Sequence, residues 1–144
     1  MSQMAITHDS GKVPEGWTIQ KHPETFSGLA GPCYYRESGA IPGVGFVAEK
    51  KHLNFGNVVH GGALLTLADM ALWDICWRNI GSFKGVTVTL NGDFLGAGRI
   101  DTFIEATGEM TKAGGSLLFA RGSITAGEDL LMTFSGTLKR LRDS

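Results

Sequence analysis

Hydrophobic positions divide this chain into two regimes. From Ala63 to Trp77 the apolar residues come so densely that a helix built on Leu64, Leu65, Leu67, Ala68, Met70, Ala71, Leu72, Trp73, Ile75, Cys76 and Trp77 has almost no polar face. Such a helix is buried on most sides. It is expected to begin near Gly61 and to end by Asn79 to Gly81, residue types that accept a left-handed stop. Beyond it the period falls to two. Val86, Val88 and Leu90 are predicted to face one way and Thr87, Thr89 and Asn91 the other, while Leu130, Met132, Phe134 and Leu138 lie opposite Leu131, Thr133, Ser135, Thr137 and Lys139. Between these strands, Asp101 to Thr111 and Ser116 to Thr125 form two more, joined by Lys112-Ala113-Gly114-Gly115, and Gly127-Glu128-Asp129 turns the chain again.

Ahead of the helix, Cys33 to Arg36 and Gly45 to Ala48 are predicted as a hairpin around Ser38-Gly39-Ala40-Ile41-Pro42-Gly43. Residues 1–30, polar and broken by Pro14 and Pro23, are expected to form a loosely ordered lead-in, with a short helix around Glu24 to Leu29. Residues 31–144 form the single domain. One long apolar helix and consecutive hairpins are compatible only if an antiparallel sheet curls around the helix and the remaining helix surface meets a partner. The expected class is therefore α+β, with the hotdog arrangement.

Composition narrows the function. With 13 basic and 14 acidic residues the net charge is -1, so no general attraction to nucleic acid or an anionic membrane is expected. Asp69, Asp74 and Arg78 interrupt the only candidate for a membrane span. Two widely separated cysteines and the absence of a signal-like start predict a reducing, cytoplasmic setting. His8, His22 and His52 have no ligand spacing with Cys33 or Cys76, and no metal site is expected. Ser116 and Ser135 lack an activating context, and there is no Gly-x-Ser-x-Gly elbow, phosphate loop or dinucleotide fingerprint.

The chemistry concentrates at Asn54-Phe55-Gly56-Asn57-Val58-Val59-His60-Gly61-Gly62 and at Asp69. A glycine turn entering a helix can present backbone N–H groups to an oxyanion, and Gly61 and Gly62 let a substrate approach the backbone. Asp69 is set among Leu65, Ala68, Leu72 and Trp73, where an unpaired carboxylate is costly without a function or a partner. Asp74 suits a simpler role, bonded to neighbouring groups. Eight residues of helix separate Gly61 from Asp69 by about 12 Å along the axis, too far for one carboxylate and one water to bridge. The donors and the base are thus expected to come from different copies of the chain, across a two-fold axis with antiparallel helices. A homodimer follows, with further pairing into a tetramer left open.

The segment His60-Gly61-Gly62, followed by Leu67-Ala68-Asp69 and preceded by Asn54, resembles the signature of hotdog-fold thioesterases of the phenylacetate-pathway (PaaI) type. The resemblance runs from Gly31-Pro32 through the helix to Gly85-Val86-Thr87-Val88 and the closing hairpins. It implies hydrolysis of an acyl-CoA thioester, with coenzyme A as part of the substrate and no further cofactor. In that reading Asp69 is the general base or the nucleophile, the Gly61 N–H and the Asn54 amide engage the thioester carbonyl, and the Thr87 hydroxyl helps place the attacking water. Thr87 stands where related members often carry serine. The resemblance also implies that His60 shapes the site more than it transfers protons.

The phosphates of coenzyme A need cations, for which Arg99 and Lys112 are candidates together with Lys139, Arg140 and Arg142. Lys112 has Gly114 and Gly115 beside it, which would let a phosphate reach the backbone. Trp73, Trp77 and Phe55 could touch the acyl chain, although core packing is the simpler use of both tryptophans. Two alternatives remain open: a non-catalytic acyl-CoA-binding hotdog protein, and a hydratase, for which His60 is the only available ring. The acyl group preferred cannot be ordered from these residues.

Overall fold

A computed structural model describes residues 12–37 and 41–142. In chain order the elements are β1 (Trp17–Ile19), α1 (Phe26–Ala30), β2 (Cys33–Arg36), β3 (Val44–Val47), a 3₁₀ turn (Lys50–His52), α2 (Gly61–Ile80), β4 (Gly85–Phe94), β5 (Phe103–Ala113), β6 (Leu117–Ala126) and β7 (Asp129–Arg140). The strands make one antiparallel sheet in the order β1-β2-β3-β5-β6-β7-β4. It curves around α2. This is the hotdog arrangement expected from the pattern of apolar residues.

Helix α2 forms where its ends are satisfied and one stripe is buried. His60 caps its start, and at its end Gly81 adopts φ +82°, a conformation costly for any residue with a Cβ, so that its N–H bonds the Trp77 carbonyl at 2.8 Å. Leu64, Leu67, Ala68, Ala71, Leu72 and Ile75, at helical spacing, are buried against Ile104, Leu118, Met132 and Leu138 of the sheet. Each fully buried leucine or isoleucine contributes about 1.5–3 kcal/mol. The helix sits close because Gly136 lies beneath it: a Cβ there would be 2.3 Å from Leu72 Cδ1. Among the described residues, no helix is long and apolar enough to cross a membrane.

Four sequence expectations change. In the described part of the lead-in, residues 12–30, Trp17–Ile19 pairs with Tyr34–Arg36 and adds an edge strand to the sheet, while residues 1–11 lie outside the described residues. On β4, Val86 and Val88 are not the core face: they are exposed, and Thr87 and Leu90 turn towards α2. A bulge between Thr87 and Thr89 breaks the alternation, leaving Val88 outside the register. On β7 a second irregularity inserts Leu131 opposite the Ile124/Thr125 step, so that Leu131 and Met132 are both buried while Leu130 is exposed. Strand β5 also runs through Lys112 and Ala113, which shortens the predicted turn. Cys33–Tyr35 pairs with Val44–Phe46 as predicted, although residues 38–40 of their connecting turn lie outside the described residues.

Asp74 anchors that connection to the helix. Its Oδ2 accepts the Gly43 N–H at 2.8 Å and its Oδ1 accepts Arg78 Nε at 3.0 Å, while the Arg78 guanidinium donates to the carbonyls of Ile41 and Arg36. Both side chains are largely buried, at 10% and 16% exposure. The simpler role foreseen for Asp74 is the one it has. Removing one partner strands the other, so Asp74→Ala is expected to cost about 2–4 kcal/mol of stability. Urea denaturation measures this, and a loss below about 0.5 kcal/mol, the scale of an ordinary surface change, would show that the anchor contributes nothing.

Candidate active site

The face of α2 turned away from the core lines a cleft of about 1050 Å³, bounded by β4 on one side and by the β1–α1 segment on the other. Leu65, Asp69, Met70, Trp73, Trp77 and Leu90 form its inner wall. Asp69 is the carboxylate at its centre, half-buried between apolar neighbours. The Thr87 hydroxyl donates to Asp69 Oδ1 at 2.7 Å, and the Trp73 indole N–H donates to the same hydroxyl at 3.1 Å. Thr87 reaches the carboxylate from β4, immediately ahead of the bulge at Val88. Trp73 is held by stacking on Phe83, with ring centroids 5.1 Å apart and planes 5° from parallel.

A second group forms at the start of α2. His60 Nδ1 accepts the Gly62 N–H at 2.8 Å, and the His60 carbonyl accepts from Ala63 at 2.9 Å and Leu64 at 3.2 Å. The ring proton therefore sits on Nε2, the tautomer this cap requires. Of the four N–H groups in the first turn, Gly61 has no hydrogen-bond partner among the described residues. The Phe94 ring flanks it, 3.2 Å from where a Cβ would stand. Asn54 Oδ1 accepts from Gly56 N–H at 2.8 Å and Val58 N–H at 3.3 Å, which folds the loop and leaves the amide presenting its Nδ2 donors. Phe55 is fully exposed at the loop tip.

The predicted residues thus fall at two places along α2: Asp69 with Thr87 of β4, and Gly61 and Gly62 with their cap His60 at the helix start, to which the loop carrying Asn54 leads. Arg99 is in the loop after β4, which the bond from Val59 N–H to the Gly98 carbonyl ties to the entrance of α2. Lys112 is in neither group. It pairs with Phe119 on β6, three strands across the sheet from Thr87 or about 15 Å, at the same end of the sheet as Lys139 and Arg140. A separate depression of about 870 Å³ across β4, β7, β6 and β5, around Gly92, Gly108 and Gly122, contains none of these residues.

Two contributors lay outside the sequence reading. Trp73 is a hydrogen-bond donor as well as an apolar surface, and its spacing of four from Asp69 was the available signal. His52 had no signal at all. It is buried, with Nδ1 accepting the Glu49 N–H at 2.9 Å, Nε2 donating to the Ala30 carbonyl, and its own carbonyl accepting the His60 N–H at 2.7 Å. It fastens the loop that carries Asn54 to both α1 and the helix cap.

Burial lowers the pKa of His52 below 6.5, outweighing the opposite effect of the Ala30 carbonyl. The unfolded chain then binds the extra proton first, so the stability from neutral His52 is complete above pH 6.5 and declines as pH falls below it. Thermal melting between about pH 7 and 5 should show this decline. A His52→Gln variant with the same pH slope would contradict the assignment.

The model of the Thioesterase superfamily matches residues 56–133, a span that includes His60, Gly61, Gly62, Asp69 and Thr87. A Pseudomonas aeruginosa protein named "Putative esterase PA0474" is 32% identical over 126 residues, covering 86% of this chain and 94% of that one. Among solved structures, the E. coli PaaI protein from the phenylacetic acid degradation operon superposes with a TM-score of 0.74 at 20% identity, over 85% of this chain and 89% of its own. A hypothetical thioesterase protein from Streptococcus pneumoniae TIGR4, solved with coenzyme A, gives 0.64 at 21% identity, over 88% and 89%. These two likenesses are of fold.

Proposed function

The chain belongs to the thioesterase superfamily, and from that premise we propose that it hydrolyses acyl-CoA thioesters as a homodimer with two equivalent sites. The observation that carries this reading is the unengaged Gly61 N–H at the positive end of a 20-residue helix whose cleft-facing side holds Asp69, oriented by Thr87. Attack on a thioester places negative charge on the carbonyl oxygen. Gly61 N–H and the Asn54 Nδ2 donors receive it, and one such donor is typically worth about 3–4 kcal/mol in the transition state. Asp69 either takes a proton from the attacking water or attacks the carbonyl carbon itself. With Oδ1 bonded to Thr87, Oδ2 is the oxygen left for that role.

Gly61 and Asp69 are about 12 Å apart along α2, so the donors of one copy serve the carboxylate of the other. The apolar surface for that pairing exists: Trp77, Val86, Val88 and Phe94 are each about half exposed on α2 and β4, and β4 is the last strand of the sheet. The acyl group would occupy the cleft beside Leu65, Met70 and Trp73. Arg99, near the helix entrance, is the better placed of the two cations singled out for the coenzyme A phosphates. The bound coenzyme A of the Streptococcus relative is consistent with this ligand class. A reducing, cytoplasmic setting suits Cys33 and Cys76, which are free, buried and each pushed up to about 11 by that burial.

Release of free thiol from a panel of aryl, medium-chain and long-chain acyl-CoAs tests the activity and ranks the acyl groups. Asp69→Ala is expected to lower kcat by about 10²- to 10⁴-fold while sedimentation still reports a dimer. Unchanged turnover would remove Asp69 from the mechanism, and coenzyme A binding without turnover on any panel member would favour a binding protein. Gly61→Pro deletes the N–H donor at a helix position proline tolerates, and should cost about 10²- to 10³-fold in kcat with helix content retained.

A further inference from the structure

We infer that Trp73 is a positioning residue whose indole N–H sets the direction of the Thr87 hydroxyl and, through it, the orientation of the Asp69 carboxylate. The assignment follows from counting hydrogens. An indole nitrogen can only donate, so at 3.1 Å from Trp73 Nε1 the Thr87 oxygen is the acceptor. A hydroxyl has a single hydrogen. With a lone pair committed to the indole, that hydrogen is directed at Asp69 Oδ1, 2.7 Å away, the distance of a strong bond to a charged acceptor. Bonds in such a chain polarise one another, so the indole strengthens a contact it does not itself make.

Each member is held by a different part of the fold. Asp69 and Trp73 are four residues apart on one face of α2, Thr87 comes from the bulge on β4, and the indole is clamped flat against Phe83. A phenylalanine at position 73 would keep the packing and the stack but leave the hydroxyl free to rotate. Thr87 then no longer has a single direction in which to donate. Simple core packing, the other use of Trp73, needs only the ring.

The inference rests on the proposed role of Asp69 for its kinetic test, and a spectroscopic test stands independently of turnover. In kinetics, Trp73→Phe should lower kcat about five- to tenfold with KM changed less than about twofold, the rate equivalent of one hydrogen bond. Thr87→Val should lower kcat by roughly 10- to 100-fold, and adding Trp73→Phe to it should cost no more than about a further twofold, since the relay is already broken. Losses that multiply in the double variant, or full kcat in Trp73→Phe, would overturn the relay. If Trp73→Phe does not fold, the indole resonance in the unaltered protein and in Thr87→Val still decides. In ¹⁵N-tryptophan-labelled protein, with Trp17 and Trp77 assigned by single Phe substitutions, the Trp73 indole proton should resonate downfield and move upfield in Thr87→Val. An indole resonance unmoved by Thr87→Val would refute the contact whatever the enzyme activity. Loss of turnover in Asp69→Ala with a silent indole would leave the thioesterase reading standing and remove Trp73 from it.

Discussion

Everything in this molecule is referred to the seating of α2 in the curve of the sheet. One stripe of the helix, from Leu64 to Ile75, is committed to the core by contact with Ile104, Leu118, Met132 and Leu138. That commitment fixes the helix's rotation about its axis, since the stripe cannot slip without exposing several buried side chains at about 1.5–3 kcal/mol each. Rotation in turn decides what the opposite side presents. Leu65, Asp69, Trp73 and Trp77 recur every four residues, so they rise together out of the core and become the wall of the cleft. A carboxylate near the middle of an apolar helix is costly only if that helix is enclosed. Here the enclosed face and the chemical face are different stripes of the same twenty residues.

This separation explains what could be read from the chain. The density of apolar residues from Ala63 to Trp77 disclosed the helix and its length, and the antiparallel strands followed from alternation and turn residues. Faces of strands were harder. The grouping of Val86, Val88 and Leu90 on one face rested on an unbroken period of two, and a single extra residue at Val88 parts Leu90 from the two valines. Nothing in Gly85-Val86-Thr87-Val88-Thr89 marks a bulge, because the requirement for one comes from β7 and from the helix, both remote in sequence. The same holds for Leu131, where a run of three apolar residues conceals which two are buried.

The candidate site was legible to a similar depth. Asp69, Gly61 and Asn54 could be singled out because a carboxylate among leucines and a double glycine before a helix are locally anomalous. Residues that support them are not anomalous. Trp73 looks like any core aromatic until the bulge brings Thr87 under its nitrogen. His52, two residues before Asn54, looks like a surface histidine. Its ring is instead bonded through both nitrogens to backbone of distant segments, and its carbonyl takes the His60 N–H. Cations were the least legible. Lys112, with glycines beside it, had the stronger case in the sequence, whereas the fold ties the loop of Arg99, and not Lys112, to the entrance of α2.

The two groups of polar residues also differ in what they lack. At Asp69 the hydrogen bonds converge: an indole gives to a hydroxyl, which gives to a carboxylate oxygen. At the helix start they diverge, since His60 absorbs the N–H groups of Gly62, Ala63 and Leu64 with its ring and its carbonyl, and the Gly61 N–H is passed over. An acceptor held ready at mid-helix and a donor held ready at the helix start are complementary in charge. Within one copy the helix itself keeps them apart, because its rise of about 1.5 Å per residue cannot be shortened. In the proposed homodimer, antiparallel pairing of two such helices would bring each donor to the opposite carboxylate without altering either group, a task that suits a rigid straight helix better than a flexible loop.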